Sequence, residues 1–330
     1  MKKLSLLISA ILMSGGAYAT GNVADVNIQY DSDGNLVDIF QYGYKNDADV
    51  DILDNSNKND VLVYQDGNKN EADVLIKHYS DGNYVWIDQR GDDNLADVKI
   101  TYGSDWNYVY VDQVDDDNKA YVDIYGDSNK NLVDIDQDSK YGFFKANTAT
   151  VNILDKSNRN DVYIDQYKAN RARVDITDYS DKNYVDIKQT GFNSARVDIK
   201  HGSDRNNVDI DQTRLNKASV DIKYDSDKNE VDIDQTGSNY AKVNITGNSD
   251  YNDVIVTQYG VNLADVDITK GSDWNEVDIY QNGFLNTADV DITHNSDHNK
   301  VYIDQYNSFN SATVAIGGYS DWNTVYVTQY

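Results

Sequence analysis

The chain has no cysteine and no proline, and its 330 residues include only four histidines and two methionines. Without cysteine, disulfide scaffolds, Cys-based metal sites and thiol nucleophiles are excluded. Positive charge is also scarce: 29 Lys and Arg stand against 56 Asp and Glu, for a net charge of −27. Nucleic acid is therefore not an expected partner, because the phosphate term of such an encounter is repulsive. No later stretch approaches the roughly 20 apolar residues of a membrane-spanning helix, so no transmembrane segment is expected.

The first 19 residues, MKKLSLLISAILMSGGAYA, set themselves apart. Lys2 and Lys3 precede an apolar run from Leu4 to Met13 and a small-residue ending at Ala17-Tyr18-Ala19. This pattern predicts a secretory signal peptide over residues 1–19, cut after Ala19. Loss of its two lysines takes the net charge from −27 to −29 for the exported chain, residues 20–330.

What the sequence has in abundance is repetition. A Ser-Asp/Asn-x-Asn motif recurs from Ser32 to Ser320 at spacings of 23 or 24 residues, with one of 29 between Ser128 and Ser157. Each repeat holds two seven-residue words. One is N-x-V-x-[I/V]-x-Q, as in Asn229, Val231, Ile233 and Gln235; the other is N-x-A-x-V-x-I, as in Asn239, Ala241, Val243 and Ile245. Both alternate with period two, so both are expected to be strands. The glycine-containing and Ser-Asp segments between them suit turns.

The repeated residues of each word point to one side of a strand and the variable ones to the other. The invariant set is therefore the interior. The expected fold is all-β: a β-solenoid of about 13 stacked strand-turn-strand rungs with an amyloid-like cross-β core. Stacking puts amide over amide, so the rows through Asn35, Gln41 and Asn46, through Asn59, Gln65 and Asn70, and through Asn229, Gln235 and Asn239 are expected to form hydrogen-bonded ladders. An isolated rung leaves those amides unsatisfied at about 1–3 kcal/mol per group, which favours growth on a formed end.

The words AKVNIT and EVDIDQTGSN, the Gln-x4-Asn spacing of Gln41–Asn46, Gln65–Asn70, Gln89–Asn94, Gln281–Asn286 and Gln305–Asn310, and the ending VTQY resemble curlin repeats. These are the units of curli amyloid fibre subunits, and the resemblance covers residues 22–330. It implies a secreted subunit, unfolded during export, that polymerises at the bacterial cell surface into biofilm-matrix and adhesion fibres. It also implies curli-type secretion and nucleation machinery as partners, and matches Asn35, Gln41 and Asn46 to the family's inward rows. The chain departs from the family where Ile52, Ile76 and their equivalents replace a frequent glutamine, and its turns are poorer in glycine.

The chain opens on a second-type word, Asn22 to Ile28, and closes on a first-type word, Asn323 to Gln329. A following copy then continues the rung sequence, a head-to-tail homopolymer. No catalytic, cofactor-binding or metal-binding residue is assigned, since enzymes need a unique constellation and here the polar rows repeat on every rung. Outward Asp pairs such as Asp134/Asp136 and Asp232/Asp234 read as a solvated, self-repelling face or as carboxylates bridged by Ca²⁺. The Ser-Asp turns read as local turn hydrogen bonding or, again, as cation ligands. The alternative function is a monomeric extracellular β-solenoid adhesin or Ca²⁺-binding surface protein. Residues 138–146, DSKYGFFKA, are an enlarged turn that is either neutral or a docking loop around Phe143-Phe144.

Overall fold

A computed structural model describes residues 7–10, 21–139 and 146–330. Apart from Leu7–Ala10, the expected signal peptide lies outside the described residues, as does most of the enlarged turn, Phe143 and Phe144 included. Among the described residues there is no helix, and every strand pairing is parallel and, apart from that of Leu7–Ala10 with Leu36–Ile39, between repeats.

The chain divides into two compact units, Met1–Ala169 and Asn170–Tyr330. Each is a β-solenoid. In the first, the Gln-ended strands stack only on one another, as Leu36–Tyr44 on Asp60–Asn68 and Asp60–Asn68 on Tyr84–Asp92. The Ala-containing strands do likewise, from Val23–Ile28 on Asp47–Leu53 to Lys119–Tyr125 on Thr148–Leu154. The second unit repeats the plan, with Tyr184–Gly191 on Asn207–Arg214 and Arg171–Thr177 on Ser194–Lys200.

Register follows from the words: Val37 pairs with Val61 and Gln41 with Gln65, Ala48 with Ala72 and Ile52 with Ile76. Burial alternates along each strand, and the inward Val, Ile and Ala are essentially inaccessible away from the two terminal rungs. With no proline anywhere, no strand residue lacks the N–H that an interior ladder requires.

Spacing irregularities are absorbed outside the ladders. Across the 29-residue repeat Ala120 still pairs with Ala149 and Gln137 with Gln166. Where a 23-residue repeat meets a 24-residue one, the register shifts between Val261 and Asn262, and Leu285 takes up the extra position at φ 57°.

Seven of the thirteen turns before the serines make their left-handed pair without glycine. Pairs such as Asp54-Asn55 and His78-Tyr79 adopt left-handed backbone, with φ between 59° and 63°. That conformation costs an L-residue about 1–2 kcal/mol, and the geometry returns an inter-rung hydrogen bond, Tyr79 N–H to the Asp54 carbonyl at 3.0 Å. The turn after Gln65 is different. Gly67 has φ 133°, and a Cβ there would lie 1.8 Å from the Gly91 carbonyl oxygen. Gly67→Ala is expected to destabilise the first unit by about 2–4 kcal/mol, read as a lower urea midpoint than that of Gly34→Ala, whose Cβ meets only the Lys58 side chain.

Candidate functional site

The polar interior consists of four parallel rows. Gln41 Nε2 donates to Gln65 Oε1 at 2.9 Å, Gln65 to Gln89 at 2.8 Å, and the row runs on in the same sense to Gln137 and Gln166 at 2.8 Å. In the second unit it runs from Gln189 to Gln329, with Gln235 Nε2 to Gln258 Oε1 at 2.7 Å. The same nitrogen also reaches across to the opposite strand, as Gln65 Nε2 does to the Asp47 carbonyl at 2.9 Å. Each glutamine therefore ties its neighbour above and the strand facing it.

The asparagine rows point the other way. Asn59 donates through both its backbone N–H and Nδ2 to Asn35 Oδ1, at 2.8 and 3.2 Å. Asn229 does so to Asn206, at 2.9 and 3.1 Å. In the other strand type, Asn70 N–H donates to Asn46 Oδ1 at 3.0 Å, and Asn239 N–H to Asn216 Oδ1 at 2.9 Å. Donors thus face higher-numbered rungs in the glutamine row and lower-numbered rungs in the asparagine rows.

A serine row, which the sequence reading left among the turns, is also interior. Ser80 is fully buried, donates from Oγ to the Lys77 carbonyl at 2.9 Å, and accepts the Ser104 N–H at 3.3 Å. The following Asp or Asn was expected to bond within its own turn. Its Oδ1 accepts a backbone N–H from the preceding rung, as Asp81 does from Asn57 at 2.6 Å and Asp227 from Asp204 at 2.7 Å, and where the residue is asparagine it also bonds within its turn, as Asn57 Nδ2 does to the Asn55 carbonyl at 2.7 Å. The rung spacing brings the preceding rung's N–H within reach. The signal that would have exposed the serine row was its invariance in thirteen repeats.

Both terminal rungs are incomplete. Among the described residues only four buried side-chain atoms lack a hydrogen-bond partner, and two of them, Asn22 Nδ2 and Gln41 Oε1, belong to the first rung. Among the described residues the strand Val23–Ile28 pairs on one side only, with Asp47–Ile52, leaving its inward Ala24, Val26 and Ile28 partly exposed. Leu36–Ile39 is met on its outer side by Leu7–Ala10 in parallel register. At the other end, among the described residues, Thr324–Gln329 pairs only with Lys300–Gln305, and Val325 and Val327 are partly exposed where their equivalents in inner rungs are buried. Asn323 donates back to Asn299 Oδ1 at 2.9 Å, and Gln329 Nε2 reaches the Ser311 carbonyl at 2.9 Å. A column of stacked rings, Tyr251, Trp274, His298 and Trp322, ends at the exposed Trp322.

Outward carboxylates stand in columns at the rung spacing. Asp73 is pushed up to about 6 by burial and then by Glu71, Asp97, Asp49 and Asp47. Asp136 is likewise pushed to about 6, by burial and by Asp112, Asp165, Asp134 and Asp138. Asp136 also lines a shallow groove with Trp86, Asp88, Tyr110, Asp112 and Asp134. Among the described residues no three His, Asp or Glu side chains are disposed to hold a metal ion, and no helix is long and apolar enough to cross a membrane.

These shifts fix a pH dependence. A carboxyl whose folded pKa lies above its unfolded value of 3.8 makes the folded state the better proton binder between about pH 3.8 and 6. Stability therefore rises as pH falls through that window. The urea midpoint is expected to be higher at pH 4.5 than at pH 7, and Asp73→Asn should add about 0.5–1 kcal/mol at pH 7, a figure reduced for solvent screening. A midpoint that drops on acidification would contradict this.

A family model for the curlin-associated repeat matches residues 33–74 and 272–306. No curated protein matches the chain.

Proposed function

We propose, from the premise that this chain belongs to the curlin-repeat family, that it is a secreted structural subunit whose copies add head to tail to form extracellular, curli-like amyloid fibres of a biofilm matrix. The observation that carries this reading is the complementarity of the two terminal rungs. The first rung offers an acceptor, Gln41 Oε1, and a donor, Asn22 Nδ2. In the inner rungs each glutamine donates forward and each asparagine donates backward, so a copy placed ahead brings Gln329 Nε2 to that acceptor. It also brings Asn310 Oδ1 to that donor, while Asn35 meets Asn323 Oδ1.

Head-to-head contact sets acceptor against acceptor in the glutamine row and donor against donor in the asparagine rows. Head-to-tail contact continues all of them and covers Ala24, Val26, Val325 and Val327. A contact of this kind does not close on itself, so it generates a filament, and unpaired strand edges drive it.

Export fits the same scheme. Leu7–Ala10 occupies the edge of Leu36–Ile39 that a preceding copy's Gln-ended strand would take. Cleavage after Ala19 removes it and frees the edge. Adhesion and engagement of curli-type secretion and nucleation machinery belong to the same reading.

The test is to dilute residues 20–330 from denaturant and follow thioflavin fluorescence and electron microscopy, with and without preformed seeds. Unbranched filaments whose lag disappears on seeding are expected. A stable β-rich monomer that never elongates overturns the reading and returns the monomeric adhesin.

A further inference from the structure

The outer face of the Ala-containing strands changes sign between the units. In Asp47–Leu53, Glu71–Lys77 and Leu95–Thr101 of the first unit it carries Asp47, Asp49, Asp51, Glu71, Asp73 and Asp97 against two lysines, a net charge of −4. In Arg171–Thr177, Ser194–Lys200, Lys217–Lys223 and Tyr240–Thr246 of the second it carries seven Lys and Arg against Asp175, Asp198 and Asp221, a net charge of +4. In a chain of net charge −27, that cationic face is the exception.

It is also ordered. The Arg173 guanidinium, about half exposed, grips the buried Asp175 carboxylate at 2.7 and 3.1 Å, and Arg196 covers the buried Asp198 in the same way. Held side chains lose little further rotamer freedom on binding. Arg171 and Lys217 stand exposed in the first outward column, the column that holds the exposed Asp47 and Glu71 in the first unit.

We propose that the cationic face of strands 171–246 docks against the acidic face of strands 47–101 in a second copy of this chain, joining filaments side by side. The inference rests on the head-to-tail reading for its filaments. Charge and spacing select the occupant. Both faces repeat at the inter-strand distance of about 4.8 Å, so cation and carboxylate columns match rung for rung. A free polyanion has no such match and also meets the carboxylates around the patch. The contact covers roughly 300 Å² per partner by strand rise and spacing, well below the ~800 Å² of a stable interface. It is weak singly and multiplied along a filament.

The experiment images filaments of residues 20–330 at 20 mM and 1 M NaCl, where the Debye length falls from over 20 Å to about 3 Å. Bundles at low salt and separate filaments at high salt are expected. Arg171→Glu with Lys217→Glu should leave filaments intact and cut bundling at least fivefold. Adding Asp47→Lys and Glu71→Lys to that chain should restore it, and Lys58→Glu with Lys130→Glu, an equal change in net charge, should leave it unaltered. Bundling that persists after the first reversal, or that appears only with added polyphosphate, overturns the proposal. Should no filaments form, the head-to-tail reading fails, and the pairing is read from the second virial coefficient of the monomer at 20 mM NaCl. It should be more repulsive for the first reversal than for the charge-matched control; equal values overturn the pairing.

Discussion

In Tyr326→Pro protein, filament elongation is expected to fall at least tenfold while the folded subunit keeps its stability. The reason lies in which way each N–H points. Along a strand, successive N–H groups alternate between the two neighbours. Lys300 N–H donates forward, to the Asn323 carbonyl at 2.8 Å. Thr324 is the register partner of Lys300 and Tyr326 that of Tyr302, so the Thr324, Tyr326 and Thr328 N–H groups face the open end. Proline at 326 removes one of these donors and sets its ring where the next strand must approach. The bonds to Lys300–Gln305 use the opposite set and survive. Elongation rates from sheared seeds, with circular dichroism of the subunit as the control, decide the matter; wild-type elongation would show that the Thr324–Gln329 edge is not where copies add.

Asn229→Ala should cost the second unit about 3–5 kcal/mol. Asn229 Oδ1 accepts both the N–H and Nδ2 of Asn252, at 2.9 and 3.0 Å, and Asn229 Nδ2 donates to Asn206 Oδ1 at 3.1 Å. Truncation strands two buried donors on Asn252, each at about 1–3 kcal/mol, and no water reaches a row that is 1% exposed. Hydrogen exchange at the Asn252 amide reads this directly, with a loss of protection of about a hundredfold or more. Lys228→Ala, one residue away and exposed, should move the same amide by less than threefold. Equal effects would mean that the ladder contributes no more than the surface does.

The rows through Asn35, Gln41 and Asn46 could be read from period-two alternation because inward residues are all that stacking holds constant. Their polarity could not. Whether Gln65 donates forward and Asn59 backward depends on how each amide lies against the strand opposite, and no spacing in the sequence encodes that. The serine row was visible only as repetition, since Ser-Asp reads equally well as a turn. The cationic face was hidden by averaging: Arg171, Arg196, Lys200 and Lys223 are scattered over three words and meet only once those words are stacked. The Asp columns were expected to repel through Coulomb forces, yet for Asp73 and Asp136 burial is the larger cause, and burial depends on the neighbouring side chains that cover each strand.

Identical rows carry a further consequence for the accuracy of assembly. Sliding one stack of rungs past its partner by a whole repeat puts Val on Val, Gln on Gln and Ser on Ser again, so the interior cannot tell a correct joint from one displaced by 23 or 24 residues. The core acts as a ruler with unnumbered marks. The numbering is written on the outside, in the charges, rings and loop lengths that differ from rung to rung, and errors in joining would be detected there or nowhere.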